Sequence, residues 1–133
     1  YTVLNDPSLS QDYYDVSGAL QANSGNRLAY VPETSYVFGV DKDFTMLNNP
    51  GYFSFDYSYT GDRFTSQANT LKIPSYAIAN MRFGVESDNR SMELYITNMF
   101  DTNGYQSRYD DFGDIRRTHA RPRVLGLRFR YRY

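Results

Sequence analysis

The sequence predicts an all-β chain, an antiparallel meander of about five strands. Three observations predict it. Apolar and polar side chains alternate with period two along successive segments, while the helical period is almost absent. The connections between those segments are long and short in strict turn. Aromatic residues make up 17% of the chain, with 14 Tyr and 9 Phe, yet mean hydropathy is -0.64. A soluble domain so rich in aromatics would carry more Leu, Ile and Val to fill a core. Many tyrosines on a polar background suit a surface that meets both lipid and water.

Residues 1–33 are dominated by turn formers: Asn5-Asp6-Pro7-Ser8, Ser17-Gly18 and Asn23-Ser24-Gly25-Asn26. They read as one long loop, with the end of an earlier strand at Tyr1-Thr2-Val3. A first strand is expected over 34–44, with Tyr36, Phe38, Val40 and Phe44 on one face and Ser35, Gly39, Asp41 and Asp43 on the other. A short turn at Asn48-Asn49-Pro50-Gly51 leads to a second strand over 52–60. There Phe53, Phe55, Tyr57 and Tyr59 oppose Ser54, Asp56 and Ser58.

A polar loop follows from Gly61 to Lys72. The third strand, 75–86, sets Ala77, Ala79, Met81, Phe83 and Val85 against Tyr76, Asn80 and Arg82. Ser87-Asp88-Asn89-Arg90 makes a short turn into a fourth strand over 91–100, where Met92, Leu94 and Ile96 oppose Glu93, Tyr95 and Thr97. A loop rich in Asp and Arg covers 101–120. The last strand, 121–133, carries Leu125, Leu127, Phe129, Tyr131 and Tyr133 on one face and Gly126, Arg128, Arg130 and Arg132 on the other.

Arginines at every second position do not belong in a hydrophobic core. They suit a water-filled lumen, with the partner face in lipid. No run reaches the roughly 18 apolar residues of a membrane helix, but a barrel strand needs only about 9–11 residues, alternating in and out. Membrane barrels also segregate short turns to one end and long loops to the other. The lumen-facing polar set is then Asp41, Asp43, Asp56, Arg82, Glu93, Arg128, Arg130 and Arg132. These residues would form ion pairs and hydrogen bonds within the lumen or remain hydrated by it.

Other chemistries find little support. There is no Cys, so no disulfide or thiolate metal site. Fourteen basic and 15 acidic residues give a net charge of -1, which makes no nucleic-acid surface. His119, the only His, lies in an Arg-rich loop and reads as a solvated residue, so no enzyme, cofactor or metal is expected. Asp110, Asp111 and Asp114 lack the spacing of a calcium loop and are neutralised by Arg116 and Arg117. Tyr1 opens no signal peptide, so an exported chain would carry its signal upstream.

Four motifs in order resemble a known family. Gly25-Asn26-Arg27-Leu28 with Val31-Pro32 is similar to the entry of a late barrel strand in TonB-dependent outer-membrane receptors. Ile73-Pro74-Ser75-Tyr76, then Asn80 and Arg82, resembles their next strand. Leu94-Tyr95-Ile96-Thr97-Asn98-Met99-Phe100-Asp101 and Arg121-Pro122-Arg123-Val124-Leu125-Gly126-Leu127 resemble their last two. Arg90-Ser91 stands where many members carry Trp, and Tyr133 where Phe is commoner.

The resemblance implies that 1–133 is the C-terminal part of a barrel of about 22 strands. Residues 1–33 would be mostly extracellular loop and 34–133 barrel strands, an open sheet when taken alone. It implies active uptake of a scarce nutrient, such as siderophore-bound iron, a corrinoid or an oligosaccharide. Partners would be outer-membrane lipid, the rest of the barrel, a plug domain that lies upstream, the TonB complex acting through that plug, and the barrel-assembly machinery. The last would read Leu125, Leu127, Phe129, Tyr131 and Tyr133 as a C-terminal signal, with the terminus on the periplasmic side. The substrate-binding residues stay open. Alternative readings are a porin or adhesin barrel and a soluble β-sandwich that binds carbohydrate.

Overall fold

The computed structural model describes residues 2–3 and 7–133. The described residues form strands and no helix: β1 (Thr2–Val3), β2 (Tyr13–Tyr14), β3 (Leu20–Ala22), β4 (Thr34–Met46), β5 (Asn49–Thr60), β6 (Arg63–Phe64), β7 (Lys72–Ile73), β8 (Tyr76–Ser87), β9 (Arg90–Thr97), β10 (Tyr105–Asp111), β11 (Asp114–His119) and β12 (Val124–Tyr131). The chain is all-β. Its main sheet runs β1-β4-β5-β8-β9-β12, and its five long members form an antiparallel meander. Of the strand expected at Tyr1-Thr2-Val3, β1 pairs Thr2 with Ser35 and Val3 with Thr34, and Tyr1 lies outside the described residues.

The chain divides into two compact units. One comprises 37–58, 77–102 and 121–133 and holds most of the five long strands. The other comprises 1–36, 59–76 and 103–120 and gathers all three long connections.

In the strand unit the register follows the side-chain alternation. Met81, Ile96 and Leu125 stand in one cross-strand row, Phe83, Leu94 and Leu127 in the next, and Val85, Met92 and Phe129 in a third. On the opposite face, Arg82, Tyr95 and Gly126 form one row, and Gly84, Glu93 and Arg128 another. Each such pair contributes on the order of 0.2–1 kcal/mol, and a one-residue slip would exchange the two faces. Ala79 is the buried apolar side chain of this unit among the described residues. The five strands therefore form a sheet without a dry second layer.

The β4–β5 turn corrects the sequence expectation. Leu47 (φ 51°) and Asn48 (φ 61°) make it, both left-handed, as a two-residue hairpin of the twist-matching kind requires. Asn49, Pro50 and Gly51 already belong to β5. Gly51 serves packing rather than a turn: a Cβ there would lie 2.5 Å from Cε2 of Phe44, whose ring stacks on Phe83 at 5.2 Å. Pro50, which has no N–H to give a ladder, sits at the strand's start, where that loss is tolerated.

The loop unit holds more structure than a loop reading foresaw. β2 and β3 form a small hairpin closed by Asp15, whose carboxylate accepts from Ser17 N (2.8 Å), Ser17 Oγ (2.6 Å) and Ala19 N (3.0 Å). Residues 101–120, expected as a loop, contain the β10–β11 hairpin, which turns at Phe112 (φ 52°) and Gly113 (φ 93°). β6 and β7 pair as a third short ladder, with Ile73 fully buried.

Candidate functional site

The sheet offers two faces of opposite chemistry. The apolar face carries the three rows just described, continued on β5 by Phe53, Phe55 and Tyr57. Their side of β5 is fixed by Tyr52, which lies on the other face over Gly84. Leu125, Leu127 and Phe129 are 69%, 66% and 62% exposed, and Met92 and Leu94 are also exposed. A contiguous apolar patch of this kind is rare on a soluble monomer. Tyr131 and Tyr133 continue it to the C-terminus with rings 6.4 Å apart.

The polar face is internally bonded. Tyr52 donates its hydroxyl proton to Glu93, and Arg128 Nη1 donates to the same carboxylate at 2.7 Å. The Arg128 guanidinium also lies 5.6 Å from the centre of the Tyr95 ring. Tyr52 fills the space that Gly84 leaves and Tyr95 the space that Gly126 leaves, so each tyrosine lies flat against a neighbouring strand's backbone.

Nearer the other end of these strands, Asn80 Nδ2 donates to Asp56 at 2.6 Å, and Asn80 Oδ1 accepts from Asn98 N at 3.0 Å. Of the polar residues named from sequence, Asp56, Glu93 and Arg128 are thus joined to neighbours on this face. Arg82 stands in the row with Tyr95, and Arg130 stands opposite Ser91. Asp41, Asp43, Arg130 and Arg132 are exposed and form no ion pair among the described residues.

Sequence reasoning named Asn98 and Asp101 only as parts of a motif. Asn98 is 3% exposed with φ 48°. Its side chain donates to Thr102 O (3.0 Å) and Arg121 O (2.8 Å) and accepts from Thr102 N (2.9 Å). Asp101 accepts from Arg123 N at 2.9 Å. Two short polar residues three positions apart at a strand's end, Asn98 and Asp101, were the available signal.

In the loop unit Arg27 is the centre. It donates to the Asp62 carboxylate (2.8 Å) and carbonyl (2.6 Å), approaches Glu33 at 3.3 Å through Nε, and lies over the Phe64 ring at 5.3 Å. Asn69 brackets its backbone, accepting from Arg27 N at 2.7 Å and donating to Arg27 O at 2.8 Å. The Arg27 hydrogen bond, with Lys72 at 3.1 Å, holds the Asp62 carboxyl below its ordinary range against the opposing effect of burial.

His119 is exposed, 2.5 Å from Asn103 Oδ1 and edge-on to Tyr105. Among the described residues no group of His, Cys, Asp and Glu has the arrangement of a metal site.

Comparison of the chain with protein-family models, with curated proteins and with solved structures gave no match.

Proposed function

We propose that this chain is the closing part of an outer-membrane β-barrel of the TonB-dependent receptor kind. One observation carries the reading. The sheet presents apolar cross-strand rows on one face, exposed on β9 and β12 at Met92, Leu94, Leu125, Leu127 and Phe129, and a hydrogen-bonded polar network on the other, with Ala79 the buried apolar side chain of its unit among the described residues. Such a sheet suits lipid outside and water inside.

Its two edges support the same reading. Among the described residues β12 has a strand neighbour on one side only, and β1 covers β4 only at Thr34 and Ser35. Backbone groups left open in lipid cost several kcal/mol each, so a membrane sheet must close. The rest of the barrel supplies the missing neighbours. The alternating connections support it too, since the three long ones collect in one unit. In the barrel they face the exterior and the β4–β5 and β8–β9 turns face the periplasm.

The function is what the four motifs resembling the receptor family imply. The barrel takes up a scarce nutrient such as siderophore-bound iron, a corrinoid or an oligosaccharide. The TonB complex drives it through the upstream plug, and Asp41, Asp43, Arg82, Arg130 and Arg132 face the lumen that the plug fills. This segment closes the wall and contributes exterior loops.

Partitioning tests the membrane reading. The purified chain requires detergent or lipid to remain dispersed, and its β signal survives transfer into bilayers. A monomer that is soluble and cooperatively folded without detergent would overturn it.

A further inference from the structure

Between the β2–β3 hairpin and the turn over 66–69, the loop unit holds an open cavity of about 340 Å3. Tyr13, Asp15 and Gln21 line it from the hairpin, and Ser66, Gln67 and Ala68 from the turn. Both walls are held by hydrogen bonds. Ser24 N donates to Asp12 Oδ1 at 2.7 Å, and Leu9 N to Asn26 O at 2.7 Å. Asn26 Nδ2 donates to Gln67 O at 2.8 Å, which ties one wall to the other, and Asn69 Nδ2 donates to Ser66 O at 3.0 Å. A site built beforehand in this way loses less of its binding energy to ordering.

Asp15 is not a free carboxylate. Its oxygens already accept from Ser17 N, Ser17 Oγ, Ala19 N and, at 2.9 Å, Gln21 Nε2. The cavity offers a ligand other groups: the ring and hydroxyl of Tyr13, which is 54% exposed, the Gln21 Oε1, the Ser66 hydroxyl and the Gln67 side-chain amide. None of these groups has a hydrogen-bond partner among the described residues. No Lys, Arg or His lines the space.

Ser and Tyr hydroxyls both donate and accept, and a Gln amide supplies both kinds of group. That mixture matches a ligand of hydroxyl groups, each of which also donates and accepts. The Tyr13 ring adds a flat face of negative π density, which attracts the C–H face of a sugar ring. A negatively charged iron chelate would find no cation there and would face the charge of Asp15. A metal ion would need more oxygen ligands than one committed carboxylate. A corrinoid is too large for the space.

We propose that this cavity is a binding site for a neutral saccharide, with Tyr13 as stacking platform and Gln21, Ser66 and Gln67 as hydroxyl partners. Its volume lies at the small end of ligand sites, roughly 300–1,000 Å3, and suits a short stretch of a longer oligosaccharide. The choice of a saccharide among scarce nutrients rests on the uptake reading; the site itself does not.

Calorimetric titration of the whole chain tests it, in zwitterionic micelles whose detergent carries no sugar headgroup. The probes are maltotriose, xylotriose and, as a small polyanion, citrate. At least one of the two neutral sugars binds saturably, and citrate does not. Tyr13→Ala weakens that sugar about tenfold, the loss of one aromatic contact. Gln67→Ala weakens it about fivefold, the loss of one net hydrogen bond. Phe112→Ala removes another exposed aromatic ring, one that does not line the cavity, and leaves affinity unchanged.

Absence of binding by both sugars overturns the proposal, and so does a Tyr13→Ala affinity equal to the parent's. Citrate binding that Gln67→Ala abolishes would assign the cavity to anions instead. A chain that stays dispersed without detergent is titrated in buffer alone. The uptake reading then fails on solubility, while the saccharide site stands or falls on its own titration.

Discussion

Leu127 stands in the middle of the row with Phe83 and Leu94 and is 66% exposed. On a protein in water, an arginine at so open a position would change stability by less than about 0.5 kcal/mol. In a barrel wall near the bilayer midplane it costs roughly 2–4 kcal/mol. Leu127→Arg therefore separates the two environments. A clear fall in the urea midpoint of the barrel folded in lipid is expected, and an unchanged midpoint would remove Leu127 from the lipid face.

Asp62 supplies a residue-level test of the loop unit. Arg27 and Lys72 lower its carboxyl pKa in the folded state. Its contribution is thus present above the ordinary carboxylate value of about 3.9 and is lost as pH falls through the lowered one. Corrected for the intrinsic pH dependence of amide exchange, protection at Arg27 and Asn69 should fall on acidification below about pH 4. In Asp62→Asn protection should be lower at neutral pH and lose that step. Protection equally independent of pH in both proteins would show that the cluster contributes nothing.

At the level of elements, β12 combines an open edge with alternating apolar residues that run to Tyr133. An open edge can be captured by strand addition, with alternate side chains giving specificity. Read as the signal for the assembly machinery, the strand makes its last residue matter more than lipid burial alone would. Tyr133→Ser in the parent barrel should reduce heat-modifiable folded protein in the outer membrane more than Phe53→Ser does. An equal or smaller loss would leave β12 a purely structural role.

The strands were legible because one face is apolar throughout, so period two could be read from Phe53 to Phe129. The β10–β11 hairpin was not. Its segments, Tyr105-Gln106-Ser107-Arg108 and Asp114-Ile115-Arg116-Arg117, have no apolar face for periodicity to register. Backbone pairing, the Phe112-Gly113 turn and arginines packed on Tyr105 hold it instead. Gly113 was the one local signal. Gly51 misled for the converse reason: it lies under Phe44 inside a strand, and Leu47 accepts the left-handed turn position that Gly more often fills. The polar bonding of Asn98 joins residues up to 23 positions apart, beyond the reach of a local pattern.

For the whole molecule, the central claim is that one face of the sheet meets lipid and the other water. Sequence alternation and the cross-strand rows agree on which residues lie on each face. The most direct measurement is a scan of β12 from Val124 to Tyr131. Single fluorescent cysteine probes are placed in turn, in bilayers with brominated acyl chains, within the barrel that the reading requires. Quenching by the acyl chains is expected at 125, 127 and 129, and by an aqueous quencher at 126, 128 and 130. Uniform aqueous quenching along the strand, or alternation in the opposite phase, would contradict it.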